Sequence, residues 1–281
     1  LVELCSNLDL AISANRTYTS SGWAGGRFAG GSKWVAKHGA SEAHLWQALS
    51  KALLIFLTGM YCSTNRTKIP ELHKIMFDFT MGEERTLEDS WVYLHWYGSG
   101  ATIVIMDIYP SAEAAVNDDF WAVMRRKMGA LSEKEREAMR KTFREWWTFF
   151  DGHTDEMRTW NPETDFVGKP NVDWDIPFVF VTGSYNTAGN MREMGKAYMD
   201  WQTLPNVENG LQLGGGVTYH YKGAGSDIQL FGGFKNIQDF ATTVSTQASD
   251  NPEARKTFWS MVEGANADQI YVHVGLSLIH I

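Results

Sequence analysis

Cysteine is nearly missing from this 281-residue chain. Only Cys5 and Cys62 occur, with neither metal-ligand spacing nor a C-x-x-C pair, which excludes a disulfide scaffold and a thiolate metal centre. A single disulfide between them stays open, and with it the redox compartment. Basic residues are outnumbered: 25 Lys and Arg face 33 Asp and Glu, for a net charge of −8. A mildly acidic chain is a poor match for the phosphates of nucleic acid, so no nucleic-acid partner is expected. The apolar run Lys51 to Cys62 is too short to cross a membrane as a helix, and no membrane partner is expected. No H-x-x-x-H motif is present, and no G-x-G-x-x-G or Walker pattern opens a helix; Gly214-Gly-Gly216 is not a phosphate loop. What the chain has is an ordinary globular balance, 44 % hydrophobic and 21 % charged. It also has 12 Trp, 10 Tyr and 15 Phe. So many rings need large apolar surfaces, and some are expected to line a pocket.

Both ends read as foreign to the fold. The chain begins with Leu1 and not Met, as a truncated or upstream-translated product would. Leu276 to Ile281 resembles the translation of a sequencing-adapter end, with a real strand tail as the alternative. The adapter reading implies a metagenomic fragment. Residues 1–50, with the Gly- and Ser-rich stretch Ser20 to Ser32, read as an extension that is disordered or not native. Lys51 to Cys62 has two readings: a buried first strand, or a signal peptide if translation starts near Leu49.

Three blocks recur in the same order. Phe56-Leu-Thr-Gly-Met-Tyr61 matches Phe180-Val-Thr-Gly-Ser-Tyr185 at four of six positions. The segment Val92 to Ile103 matches Val217 to Ile228 at five of twelve. Arg140-Lys-Thr-Phe143 is identical to Arg255-Lys-Thr-Phe258. The spacing predicts two copies of one domain, residues 51–161 and 174–275, joined by a linker over 162–173. Because the second copy of the first block lies in mid-chain, the strand reading of residues 55–61 is preferred to the signal peptide.

Apolar periodicity then predicts the elements. In the first copy these are a strand over 53–58, a helix over 68–79, a hairpin over 91–109, helices over 111–128 and 132–150, and a weak strand over 156–160. In the second they are a strand over 177–182, a helix over 191–201, a hairpin from strands 216–222 and 227–234, helices over 237–246 and 252–265, and a strand over 269–274. Pro252 suits a first helical turn, with Asn251 or Asp250 as its cap.

The order β-α-β-β-α-β is the ferredoxin-like split βαβ motif. The predicted class is α+β: two tandem ferredoxin-like repeats whose antiparallel sheets pack face to face as an α+β barrel, because each bare sheet needs cover. This topology resembles the dimeric α+β-barrel superfamily, which includes antibiotic-biosynthesis-type monooxygenases, muconolactone isomerase-like and EthD-like proteins, and chlorite-dismutase-like haem proteins. The resemblance extends over residues 51–275 at the level of topology; no signature motif is matched and no catalytic residue is carried over. It implies a monomer with a pseudo-dimeric barrel, with a higher oligomer left open.

Strand alternation supplies the candidate site. Val92, Leu94 and Trp96 share one face and should pack under helices; Tyr93, His95 and Tyr97 share the other. In the second copy Thr218, His220 and Lys222 occupy the corresponding face. His95 and His220 are the candidate catalytic groups, each able to act as a general base or to ligate haem. A buried histidine bonded to its neighbours is the plain structural alternative. Tyr93, Tyr97, Thr218 and Lys222 are the accompanying candidate ligand-binding residues. Tyr61 and Tyr185 could cover a pocket mouth from the two Thr-Gly-x-Tyr segments. His153 sits between Asp151 and Asp155, where a carboxylate can orient an imidazole, or where it simply favours a helix C-terminus.

Two function classes follow. One is a cofactor-independent monooxygenase- or isomerase-like enzyme for a small apolar or aromatic molecule, which predicts an enclosed pocket holding His95 or His220. The other is a non-catalytic small-molecule-binding or stress-response barrel filled by its own side chains. The first expectation is no cofactor and no metal; a haem-binding barrel is a third option. A cytoplasmic location is preferred, with secretion if residues 50–62 are a signal peptide.

Overall fold

The computed structural model describes residues 53–61, 68–150, 152–246 and 251–274. The expectations for residues 1–50, for the adapter-like end over 276–281 and for the two cysteines lie outside these residues.

The chain runs β1 (Leu53–Met60), α1 (Ile69–Thr80), β2 (Asp89–Gly98), β3 (Ile103–Tyr109), α2 (Ala112–Asn117), α3 (Phe120–Ala130), α4 (Glu133–Trp147) and β4 (Thr154–Trp160). It continues through β5 (Phe166–Gly168), β6 (Phe178–Thr187), α5 (Met191–Tyr198), α6 (Leu204–Glu208), β7 (Gly214–Gly223), β8 (Ile228–Phe234), α7 (Ile237–Thr246), α8 (Pro252–Met261) and β9 (Val262–His273). The first four strands lie in the order β4-β1-β3-β2, and a second group in the order β9-β6-β8-β7. β2 pairs with β9, and β4 with β7, so eight antiparallel strands close into a barrel.

That closure corrects the face-to-face expectation. The two sheets join edge to edge through backbone hydrogen bonds. The physical reason is the edge itself: four edge strands would otherwise leave rows of N–H and C=O groups unpaired. Closure converts both inner faces into one interior.

The helices cover the outer surface of the barrel in two layers. Ile69, Leu72 and Met76 of α1, Met124 of α3 and Trp146 of α4 pack on Val92, Ile103 and Ile105. Met191, Met194 and Ala197 of α5 and Phe258 of α8 pack on Val217, Tyr219, Ile228 and Leu230. These residues recur at three- and four-residue spacing on the helices and at alternate positions on the strands, as one-sided burial requires. Local signals set the ends. Ser132 and Glu135 form a reciprocal capping box on α4. Asn251 accepts the Ala254 N–H at 3.0 Å and Pro252 occupies the first turn of α8.

Four predicted elements differ. The helix expected over 111–128 divides, because Asp118 turns out of the helical path to take Arg85 Nε at 2.7 Å and the Thr86 N–H at 3.0 Å; Asp119 then caps α3. The helix expected over 191–201 continues through a π-helical turn, Met199–Thr203, into α6. The helix expected over 252–265 ends at Met261, where residues 262–273 join β6 and β2 as one long strand. The segment 162–173, expected as a bare linker, contains β5, paired with β7 through Phe166 and Gly216. Here the Gly214–Gly216 run finds its reason: a Cβ on Gly216 would collide with the Asp165 carbonyl oxygen, so only glycine admits the crossing chain.

Candidate functional site

The barrel encloses a cavity of about 510 Å³ reached by inward-facing residues of every barrel strand. Position along the strands decides its chemistry. β1, β2, β6 and β7 run in one direction and β3, β4, β8 and β9 in the other. One end therefore gathers Thr154, Glu156, Ser184, Gln229 and Gln269, all polar. The opposite end gathers Trp91, Trp160, Phe166, Trp174 and Phe178. Trp91 stacks on Trp174 with ring centroids 6.3 Å apart, and Trp174 meets Phe178 edge-on at 5.3 Å. Between the two ends Tyr93 stacks on Phe180 at 4.3 Å. The site is thus an aromatic sleeve with an aromatic floor and a polar rim.

Two buried donors in the wall of this sleeve have no hydrogen-bond partner among the described residues: Tyr93 Oη and Trp160 Nε1. Each belongs to a residue that lines the cavity. A buried polar group without a partner costs about 1–3 kcal/mol, so such groups are uncommon unless something else satisfies them. Burial, reinforced by the charge of Asp89, pushes the Tyr93 phenol well above its usual range. Burial also pushes Tyr271 up to about 12. Both phenols stay protonated at neutral pH and act as donors.

Tyr93 and Thr218 line the cavity, and Val92 and Leu94 pack beneath the helices. Tyr61 lines the rim and is largely exposed. The other candidates lie elsewhere. The ring of His95 stands edge-on to Tyr271, 5.4 Å away, and His95 is not among the residues that line the cavity. His220 Nε2 lies 3.1 Å from the Gly223 carbonyl oxygen in the β7–β8 hairpin. Neither of these imidazoles, expected in the barrel interior, is among the residues that line the cavity. The register slips between His95 and Tyr97 where β2 meets β9, and between Met157 and Arg158 where β4 meets β7. Such bulges re-aim the side chains that follow, and both strands then run past the barrel end. Tyr97 and Lys222 are accordingly exposed at the surface. His153 is exposed outside the barrel, its Nδ1 2.6 Å from the Phe150 carbonyl oxygen and its Nε2 3.4 Å from Asp155.

Tyr185 faces outward, packed edge-on to Phe258 at 5.3 Å. This separates the two Thr-Gly-x-Tyr segments. In β1 the odd residues Ile55, Leu57 and Gly59 face the cavity, followed by Tyr61; in β6 the even residues Phe178, Phe180, Thr182 and Ser184 do. The distances from Phe56 to His95 and from Phe180 to His220 differ by one residue, and a one-residue slip exchanges the faces of a strand. Position for position, Ile55 and Leu57 correspond to Phe180 and Thr182.

The sequence reading missed Trp160, Glu156 and Arg158. Arg158 is fully buried, donating from Nε to Thr218 Oγ1 at 2.7 Å, from Nη2 to the Thr218 carbonyl at 3.1 Å and from Nη1 to Glu156 and the Ser226 carbonyl. Thr154, Glu156, Arg158 and Trp160 alternate along one face of β4, a pattern that two charges in a short segment concealed.

A haem does not fit these residues. Among the described residues no histidine lines this cavity or the second one, of about 330 Å³, between the outer face of β6 and the helices. Arg158, a buried cation beside the barrel cavity, is committed to Glu156, Thr218 and Ser226 and offers nothing to propionates. Among the described residues no cluster of His, Cys, Asp or Glu could hold a metal ion, and no helix is long and apolar enough to cross a membrane.

No family profile matches the chain, and no curated protein matches it in sequence. Among solved structures, an anthrone oxidase-like protein is 12 % identical, with a TM-score of 0.49 over 81 % of this chain and 93 % of that one. A candidate monooxygenase of Fusobacterium nucleatum is 11 % identical, with a TM-score of 0.45 over 80 % and 95 %. A chlorite dismutase variant of Candidatus Nitrospira defluvii is 9 % identical, with a TM-score of 0.39 over 82 % and 95 %. At these scores the activities of those proteins carry nothing over to this chain.

Proposed function

We propose that the barrel interior is the functional site, and that it takes a small, flat, largely aromatic molecule carrying an oxygen acceptor. The observation that carries this reading is the pair of unpartnered buried donors, Tyr93 Oη and Trp160 Nε1, in an aromatic cavity of about 510 Å³. An acceptor on the bound molecule satisfies them, and the stacked rings contact its faces. The reaction class that suits the site is a cofactor-independent monooxygenase- or isomerase-like one. A protonated phenol beside the cavity stabilises negative charge as it develops on a substrate oxygen. A monooxygenase reaction would draw its electrons from the bound molecule, with dioxygen as second substrate.

A second reading, a non-catalytic binding barrel, is favoured by the absence of an imidazole from the cavity wall among the described residues. One experiment addresses both. Calorimetric titration with 2-acetonaphthone, an aromatic ketone, should show binding that weakens about tenfold in Tyr93→Phe and in Trp160→Phe. Failure of the ketone to bind, or binding indifferent to both substitutions, overturns the assignment of the site. Dioxygen uptake or an isomerised product, followed by mass spectrometry over a panel of aromatic ketones and hydroxyarenes, selects the enzyme. Binding without turnover selects the second reading.

The domain organisation is also proposed: residues 51–161 and 174–275 are two copies of one ferredoxin-like unit. Supporting this are the common strand order of the two groups, β4-β1-β3-β2 and β9-β6-β8-β7. Phe143 and Phe258, which end the identical Arg-Lys-Thr-Phe blocks, also each pack into the outer core of their own half.

A further inference from the structure

Glu156 is the only charged residue among the described residues that line the barrel cavity. It stands on the rim half of β4, opposite Leu57 on one side and Gly223 on the other. Its Oε1 is ion-paired with Nη1 of Arg158. Its Oε2 takes no hydrogen bond among the described residues. Arg158 is fixed in turn by Thr218 and Ser226, so the carboxylate is held in place by a buried cation that cannot follow a ligand. The pair has no net charge, which suits a neutral ligand better than an ion. Trp160 lies four residues along the same inward face, about 13 Å away at strand rise. The cavity therefore has acceptor character at its rim and donor character towards its floor.

We propose that Glu156 sets the specificity of the site, its free carboxylate oxygen receiving a hydroxyl or N–H group of the bound molecule at the rim. The preferred ligand is then an aromatic molecule of two or three rings with a donor towards the rim and an acceptor oxygen towards Tyr93 and Trp160. This rests on the barrel interior being the ligand site. The feature that favours a rim donor over a second acceptor is the carboxylate itself: an ionised carboxyl accepts hydrogen bonds and donates none.

The test compares 1-naphthol with 1-methoxynaphthalene by calorimetric titration of the full chain. The two differ in the hydroxyl hydrogen. The wild type should prefer the naphthol by about tenfold, the worth of one hydrogen bond to a charged group. In Glu156→Gln the amide oxygen faces Arg158 and the NH2 faces the cavity, so the preference should fall to about twofold or less. Gly225→Ala is the second variant. A Cβ there would press on the Glu156 carboxylate, moving it while leaving both charges of the ion pair in the protein. It too should erase the preference, and it decides the matter if Glu156→Gln does not fold. A wild type without preference, or a preference that survives in both variants while the probes still bind, overturns the role of Glu156 and leaves the site standing. A wild type that binds neither naphthalene overturns both readings.

Discussion

Asp107 offers a sharp test of how the first helical layer is held. Its Oδ1 accepts the Ser90 hydroxyl at 2.5 Å, and Ser90 Oγ lies 2.9 Å from His73 Nε2. Trp146 Nε1 donates to His73 Nδ1 at 3.4 Å, which fixes a neutral ring with its proton on Nε2. Burial raises Asp107 to about 6, against a partial lowering by Ser90 and Arg85. Because the folded value lies above the unfolded one, the favourable contribution is complete below about pH 4 and is lost as pH rises through 6. Asp107→Asn keeps an acceptor for Ser90 and removes the ionisation. The shift of about two pH units corresponds to about 3 kcal/mol, an upper value because part of the carboxylate still meets water. The variant should therefore be more stable than the wild type at pH 7.5 by up to about 3 kcal/mol. The gap should close between pH 6 and 4. His73 runs the other way: burial and Arg85 hold it down at about 4. Its contribution is complete above about pH 6.5 and is lost as pH falls through 4. The two slopes oppose each other in the wild type, so the variant unmasks the acid sensitivity of His73. Urea melts of both proteins from pH 4.5 to 7.5 measure this. A variant less stable at pH 7.5, or a gap independent of pH, would refute the reasoning.

Other outcomes follow from the same structure. Tyr93→Phe removes a buried hydroxyl without a partner, so thermal stability should hold or rise by about 1 kcal/mol even as ketone binding weakens. Gly216→Ala forces a methyl group against the Asp165 carbonyl oxygen; calorimetry should show a loss of about 2 kcal/mol or more, and hydrogen exchange should show β5 released from β7. Ser132→Ala breaks the capping box of α4, at a cost of about 1 kcal/mol in chemical denaturation. Arg85→Met leaves Asp118 buried without its cation, both side chains being at most 6 % exposed; the expected loss of about 3–5 kcal/mol exceeds that of any surface pair in the molecule.

Part of the cavity wall was legible along single strands. The alternation of Tyr93 with Val92 and Leu94, and of Thr218 with Val217 and Tyr219, marks the two faces of β2 and β7, because a strand in a one-sided sheet repeats every second residue. It fails beyond His95 and near His220, where bulges interrupt the period. Nothing in the composition of those segments marks the bulges. Trp160 and the Glu156–Arg158 pair were missed for a related reason: their strand reads as polar, and its burial comes from β1 and β7 on either side. The helix expected over 252–265 exceeds α8 by four residues, which belong instead to β9.

By itself the sequence determined the class of most elements, the cap that starts α8, and the β-α-β-β-α-β order, since hydrophobic period and hydrogen-bonding side chains act over a few residues. Only the tertiary structure decided that the sheets join at their edges, which residue of each strand faces inward, and that a carboxylate and two unpartnered donors share one cavity. Those outcomes depend on register between strands far apart in the chain, and a shift of one residue exchanges wall for core.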